Sequence, residues 1–310
     1  MRADFFDLIR YAKHHGIYVA VAASVTPLLN EATIKRMKEL DVDIMSVSLD
    51  GASPSTHDRL RGVPGTWRET LHVLELANEC GLKAQVNTTV MRSNTNELAD
   101  IFHIVNEEGA VAWEVFFLIR TGRGASLESL ESTECEEVMH FLFDASHYGV
   151  PVRTAEGPHF RRLRIQRLNH NVVPTGQIYE RLATRLRAVE GEANRPPSLK
   201  STHTGDGRGI MFVGHNGEVY PSGFLPINSG RVPEDKLTSI YRSNPLFISL
   251  RDPSKLKGRC GKCEYRTICG GSRSRAFAEI GDPSEEDPAC PYIPNSLPEG
   301  AAPVETPELI

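Results

Sequence analysis

Long apolar runs are missing from these 310 residues. None approaches the roughly 18 residues that cross a bilayer, and Met1-Arg-Ala-Asp-Phe-Phe lacks the apolar stretch of a secretory signal. No membrane partner is expected, and the location read from this is cytoplasmic. A strong excess of one charge is missing too: the net charge is −5. The one basic run, Arg161 to Arg167, is interrupted by Leu163 and Ile165 and followed by Leu168. It reads as a solvated amphipathic helix, and no nucleic-acid partner is expected. Cysteine is scarce, with six in the chain. In a reducing compartment so few are ligands or packed side chains rather than a disulfide framework. The remaining composition, 40% hydrophobic and 24% charged, is ordinary for a soluble globular protein. The length suits one large domain with a smaller module.

The first 120 residues alternate helix and strand patterns. Helices are expected over 4–15, 30–40, 66–80 and 94–108, with Gly16, Gly81 and Gly109 closing three of them. Strands are expected over 18–23, 44–49, 83–90 and 112–119. Strands separated by helices of this length imply parallel βαβ units, whose ligands gather beyond the strand C-termini. Those ends are polar and glycine-rich: Ser46-Val-Ser48-Leu-Asp50-Gly51, Gln85-Val-Asn87-Thr-Thr89, and Arg120-Thr-Gly122-Arg-Gly124. Strand periodicity puts Ser46, Ser48 and Asp50 on one face, and Gln85, Asn87 and Thr89 likewise. Such groups either satisfy one another inside the sheet or meet a ligand.

Four of the six cysteines fall in one segment, Cys260, Cys263, Cys269 and Cys290, spaced C-x2-C-x5-C-x20-C. Thiolates this close surround one soft metal centre, a structural Zn²⁺ or an iron–sulfur cluster. Cys80 and Cys135 are isolated within helical patterns and read as packed side chains.

Between these regions, Glu131 to Tyr148 is expected to be an amphipathic helix. Glu156 and His159 flank Pro158 at a helix start; His159 is expected to be a surface cap, with a substrate or iron contact as the sharper reading. Residues 171–207, broken by Pro174, Pro196 and Pro197, read as a flexible connection or lid. A hairpin around Asn216-Gly217 opens the C-terminal module.

The stretch Val47-Ser-Leu-Asp-Gly, followed by Thr56-His-Asp-Arg-Leu-Arg-Gly, resembles the fourth strand and loop of radical S-adenosylmethionine (SAM) enzymes. Gln85-Val-Asn-Thr-Thr-Val resembles their fifth strand and Trp113 to Gly124 their sixth. The segment from Cys260 to Cys290, with Cys269-Gly-Gly-Ser-Arg-Ser-Arg-Ala, is similar to their SPASM or Twitch extension, which carries auxiliary [4Fe–4S] clusters. Together with Glu156-Gly-Pro-His-Phe-Arg-Arg, that run most resembles the haem-biosynthesis subgroup. The fold implied is α/β: a partial (β/α) TIM-like barrel missing its first strands, plus a small cysteine-rich iron–sulfur module. The corresponding domains are 1–130, a helical connection over 131–207, the auxiliary-cluster module over 208–293, and a disordered tail over 294–310. The resemblance implies that Ser48, Asp50 and Asn87 contact SAM and that Arg61 meets its carboxylate. It also implies a radical that abstracts hydrogen from a tetrapyrrole-like small molecule or a peptide, and an electron donor such as flavodoxin or ferredoxin.

Two departures limit this. The C-x3-C-x2-C loop that holds the SAM-reducing cluster is absent, as is the Gly-Gly-Glu-type motif after the second strand. SAM and a second [4Fe–4S] cluster are therefore expected only if an N-terminal segment precedes Met1. In addition, Ser222 and Arg273 stand where full SPASM domains have cysteines. One auxiliary [4Fe–4S] cluster is expected, held by Cys260, Cys263, Cys269 and Cys290. A non-catalytic iron–sulfur or zinc-binding paralogue, serving as a binding or electron-transfer protein, is the alternative. An annotated start placed too far downstream is the favoured origin of the missing loop, because opening a barrel exposes strand edges and apolar surface. Translating the in-frame DNA upstream of Met1 checks this: a C-x3-C-x2-C motif is expected, and an immediate stop codon would refute it.

Overall fold

A computed structural model describes residues 2–199 and 204–295. Thr202 and His203 of the expected lid, and residues 296–310 of the expected tail, lie outside the described residues.

The βα alternation forms as the periodicity predicts. Helix α1 (Phe5–His14) is followed by β1 (Ala20–Ala22), α2 (Glu31–Glu39) and β2 (Ile44–Ser48). Helices α3 (Pro54–Arg61) and α4 (Thr66–Glu79) lead to β3 (Ala84–Val90), α5 (Leu98–Glu107) and β4 (Ala112–Phe117). Local chemistry sets the boundaries. Asn30 caps α2 by accepting from Thr33 N–H at 3.1 Å. Pro54 stands in the first turn of α3, where its missing N–H costs nothing. Gly81 takes a φ of 65° that a residue with a side chain adopts only with strain. The apolar face of α2 buries Ile34 and Met37, and that of α4 buries Val73, Leu74 and Ala77.

The sheet has the order β1-β2-β3-β4-β5, with β5 at Val152–Ala155, and β1, β2 and β3 pair in parallel. Ser46 lies opposite Gln85 and Ser48 opposite Asn87, so the two polar faces run side by side while Met45, Val47 and Val86 are buried. Trp113, fully buried on β4, donates its indole N–H to Thr88 Oγ1 at 2.9 Å. Its ring lies 5.6 Å from Phe102 and 6.4 Å from Phe141 of α6 (Ser132–Ala145), centroid to centroid.

Several elements escaped the sequence pattern, among them α3, β5 and a helix in the expected connection. Strand β5 is four residues long, too short to show a period. The expected flexible connection contains a 14-residue helix, α8 (Gln177–Glu190), which buries Leu182, Ala183 and Leu186. Its prolines all fall outside the helix, so they bound it rather than break it. Glu190 accepts from Asn106 at 2.8 Å and lies 2.8 Å from His103, both on α5. The intervening α7 (Phe160–Leu168) also departs from expectation: Arg162 and Arg164 are only 3% and 9% exposed, so it is no solvated basic helix.

Downstream, β6 (Phe212–Val213), β7 (Glu218–Tyr220) and β8 (Gly230–Arg231) form an antiparallel sheet, with Phe212 opposite Tyr220 as the Asn-Gly hairpin predicts. Val219 packs with Ile240 of α9 (Leu237–Ser243) and Phe247 of α10 (Pro245–Arg251). Short α11 (Gly258–Lys262) and α12 (Arg273–Ile280) carry the cysteine-rich segment. The chain divides into two compact units. One comprises Met1–Phe116, His140–Arg153 and Thr175–Lys200; the other comprises Phe117–Met139, Thr154–Pro174 and Ser201–Ile310. No helix among the described residues is long and apolar enough to cross a membrane.

Replacing Trp113 with Ala removes a large buried ring and its hydrogen bond to the Thr88 hydroxyl, which keeps its own bond to the Leu49 carbonyl at 2.7 Å. A loss of about 3–5 kcal/mol in unfolding free energy is expected, measurable by denaturant titration.

Candidate functional site

The first candidate site lies where β2 and β3 end. Asp50 is buried, and its carboxylate accepts from Thr89 N–H at 2.8 Å and meets Arg61 at 2.5 Å. Burial pushes the Asp50 carboxyl up while the Arg61 guanidinium pulls it down. Ser48, Asp50, Asn87 and Arg61 are thus brought together. Arg61, expected to meet a ligand carboxylate, already has a partner in Asp50.

The turn after β2 is held by groups the sequence reading did not single out. Asn94 donates to the carbonyls of Asp50 at 2.9 Å and Thr89 at 2.8 Å, and accepts from Met91 N–H at 2.9 Å. Its only sequence signal was a position at a helix start. Glu97 accepts from Ala52 N–H and from the Thr56 hydroxyl. His57, fully buried, accepts from Asp50 N–H at 3.0 Å through Nδ1; burial and then Arg61 bring its pKa down to about 4, so the ring is neutral. Gly51 admits this packing because a Cβ there would lie 2.6 Å from His57 N. Further along the sheet, Gln85 donates to Asn87 at 2.7 Å and Glu114 at 2.8 Å, and Arg153 donates to Gln85 and Glu114. Gln85 and Asn87 therefore satisfy one another in part, as one of the two sequence readings held.

The second candidate site is the cysteine segment. Cys260, Cys263, Cys269 and Cys290 line one cavity, together with Arg162, Gly270, Gly271, Asp287 and Tyr292. Backbone N–H groups already point at the sulfurs: Gly271 donates to Cys269 Sγ at 3.5 Å and Asp287 to Cys260 Sγ at 3.4 Å. Arg273 donates to Cys260 Sγ at 3.8 Å and Arg162 to Cys290 Sγ at 3.9 Å. Gly271, at φ 65°, leaves space a Cβ would fill, 3.0 Å from Cys260 Sγ and 2.9 Å from the Asp287 side chain. Burial raises the Cys263, Cys269 and Cys290 thiols, Cys290 to about 11, so a bound cation is needed to make them thiolates. No three His, Cys, Asp or Glu side chains among the described residues converge on a single metal-ion point. Four thiols lining one cavity are the donor set of a [4Fe–4S] cluster or of a Zn²⁺ site.

A buried polar layer supports the cavity. Arg162 makes a bidentate pair with Glu136, both bonds 2.6 Å, and its guanidinium lies 4.7 Å from the Tyr292 ring centroid. Asp287 accepts from Ser272 N–H at 2.7 Å and pairs with Arg275 at 3.3 Å. Burial pushes its carboxyl up, but Arg275, His159 and the Ser272 and Ala289 N–H groups together hold it below the usual range. His159 is buried rather than a surface cap. Burial lowers it to about 4, and neither ring nitrogen has a hydrogen-bond partner among the described residues. Its Nδ1 lies 3.9 Å from Asp287, too far for a hydrogen bond. Glu156 sits at a strained φ of 55° and accepts from the Ser272 hydroxyl at 2.6 Å. The two positions that depart from full SPASM domains are both occupied by hydrogen-bonded polar groups. Ser222 lies 3.2 Å from the Ser274 hydroxyl, which donates to Asp206 at 2.8 Å. Arg273 donates to the carbonyls of Pro283 and Glu285.

A family profile described as the radical SAM superfamily matches residues 1–105. "AdoMet-dependent heme synthase" of Methanosarcina barkeri is 34% identical, over 94% of this chain and 80% of that protein. The chain belongs to the radical SAM superfamily. The protein of the same name from Oleidesulfovibrio alaskensis is 32% identical, over 96% of this chain and 74% of that one. Among solved structures, Streptococcus suis SuiB bound to its precursor peptide SuiA superposes with a TM-score of 0.65 at 16% identity. That match covers 94% of this chain, which spans 62% of the SuiB chain, and it shows a shared fold alone. Membership implies SAM and a [4Fe–4S] cluster. The C-x3-C-x2-C ligands of a SAM-reducing cluster do not occur among these 310 residues.

Burial, then the charge of Asp206, pushes the Glu156 carboxyl up to about 7 from its ordinary 4.5, against the Ser272 bond and Arg275. The folded state therefore holds this proton longer than the unfolded chain. The stability it contributes is present below about pH 4.5 and lost as pH rises through about 7. Replacing Glu156 with Gln is expected to remove this dependence, so that the stability of the variant relative to wild type rises between those pH values in paired denaturant titrations.

Proposed function

We propose that this protein is a radical SAM oxidoreductase that modifies the side chains of a tetrapyrrole in cofactor synthesis. In this reading residues 1–130 form a partial (β/α) barrel that binds SAM, 131–207 connect it, and 208–293 form a one-cluster auxiliary module. The observation that carries the reading is the four-thiol cavity with its N–H donors, in a chain that matches a haem synthase over 94% of its length. Identity of 34% and 32% to the haem synthases against 27% to "Mycofactocin maturase MftC" and 24% to "PqqA peptide cyclase" favours the tetrapyrrole reading over a peptide substrate.

Each group has a definable task. The Ser48 hydroxyl, the Asn87 amide and the Asp50–Arg61 pair offer donors and acceptors to the amino-acid and ribose portions of SAM. Asn94 and Glu97 fix the turn that carries Asp50. Cys260, Cys263, Cys269 and Cys290 hold one [4Fe–4S] cluster, which with four protein ligands supplies one-electron transfer without an open iron position. Arg162 and Arg273, donating to ligand sulfurs, favour the reduced, more negative state.

The test is metal content and SAM cleavage by the anaerobically isolated natural gene product. Replacing Cys263 or Cys269 with Ser should remove about four irons per chain; zinc in place of iron at these cysteines would overturn the cluster assignment. With reductant and SAM, an iron tetrapyrrole bearing carboxylate side chains should stimulate 5′-deoxyadenosine release. Stimulation by a peptide alone would overturn the tetrapyrrole reading, and no release with any substrate would favour a non-catalytic protein.

A further inference from the structure

Helix α7 sets two arginines with opposite circumstances on opposite faces. Arg162 and Arg164 are two residues apart, about 200° around the helix axis. Arg162 turns to the cysteine cavity and is neutralised by Glu136. Arg164 is as deeply enclosed, 9% exposed, yet its buried Nε has no hydrogen-bond partner among the described residues. Burial and then Arg161 both disfavour its charge, and no carboxylate appears among the groups acting on it.

Arg161 lies one turn away on the same face and is anchored by donating to the carbonyls of Ile268 at 3.2 Å and Thr204 at 2.5 Å. Those bonds orient its guanidinium but do not neutralise it. Arg208, which donates to Thr267 O at 3.0 Å, adds a third positive charge facing Arg161. Among the described residues, the group that opposes this on Arg161 is Cys269. A thiolate or cluster held there would compensate Arg161, and no comparable group among the described residues acts on Arg164. A buried guanidinium without a counter-ion is costly, and its planar fork matches a carboxylate. Burying such a group unpaired makes physical sense where an anion completes the site.

We infer that Arg164, with Arg161 beside it, binds a carboxylate group of the substrate. This builds on the reading above, in which the substrate is a tetrapyrrole with acidic side chains, and names the side chains that anchor it. Arg161 is a positioning residue, while Arg164 makes the contact.

The experiment uses the cluster-loaded natural protein and its Arg164→Gln and Arg164→Met variants. An iron porphyrin with propionate side chains and its methyl ester are titrated by visible absorbance, and ligand-free melting temperatures are recorded. Wild type is expected to bind the acid at least about tenfold more tightly than the ester, the scale of a lost charge-assisted hydrogen bond. Each variant should bind acid and ester alike and, without ligand, melt at or above the wild-type temperature, because an uncompensated buried charge has gone. Acid binding unchanged in both variants would overturn the inference. So would a fall of several degrees in both ligand-free melting temperatures, the mark of a merely structural arginine. If wild type binds neither porphyrin, the tetrapyrrole reading fails, and a polyglutamate peptide decides the inference. Binding of that peptide lost in the Arg164 variants sustains it; binding independent of Arg164, or none, overturns it.

Discussion

Asp287 has no exposure to water, and the segments that carry the cysteines are organised on it. Its carboxylate accepts from Ser272 and Ala289 N–H groups and pairs with Arg275, while its own N–H donates to Cys260 Sγ. One buried anion thereby ties the start of α12 to the chain that carries Cys290 and to the first cysteine. Desolvating a carboxylate costs several kcal/mol. The paired guanidinium and two backbone donors offset that cost, and the same arrangement leaves the ligand sulfurs facing N–H groups. Removal of Arg275 or Asp287 alone would strand the other as an unpaired buried charge.

The same logic operates at the strand ends. Asp50 is buried at the turn after β2 with Arg61 as partner, and Asn94 closes three backbone groups of the two adjoining turns. Polar groups at strand C-termini have few backbone partners of their own, so side chains complete them and hold the rim rigid. A rigid rim of this kind presents Ser48 and Asn87 in register, neighbours across one parallel ladder.

Much of this was legible in the chain. The 3.6-residue period located α1, α2, α4 and α5, which bury one face and leave the other wet, and short apolar runs between them located β1 to β4. Spacing brought the four thiols to one place. Other features were not legible because their cause lies elsewhere in the chain. Strand β5 has too few residues to show a period. Helix α8 was hidden by prolines that prove to flank it. Arg162, Arg164 and His159 carry polar side chains buried by segments distant in sequence, with Glu136 as partner for Arg162 alone, and composition assigns such residues to the surface by default.

The sequence by itself determined the family and the α/β class and set four thiols at a spacing that gathers them around one cavity, since each is encoded by residue type at fixed spacing. Only the tertiary structure decided that Arg61 is engaged by Asp50 and that Ser222 and Arg273 sit in hydrogen-bonded networks where full SPASM domains have cysteines. It also separated Arg162 of α7, neutralised by Glu136, from Arg164, whose Nε has no hydrogen-bond partner among the described residues. Whether a charge is compensated depends on what lies within a few ångströms of it, and that is a property of packing rather than of order along the chain.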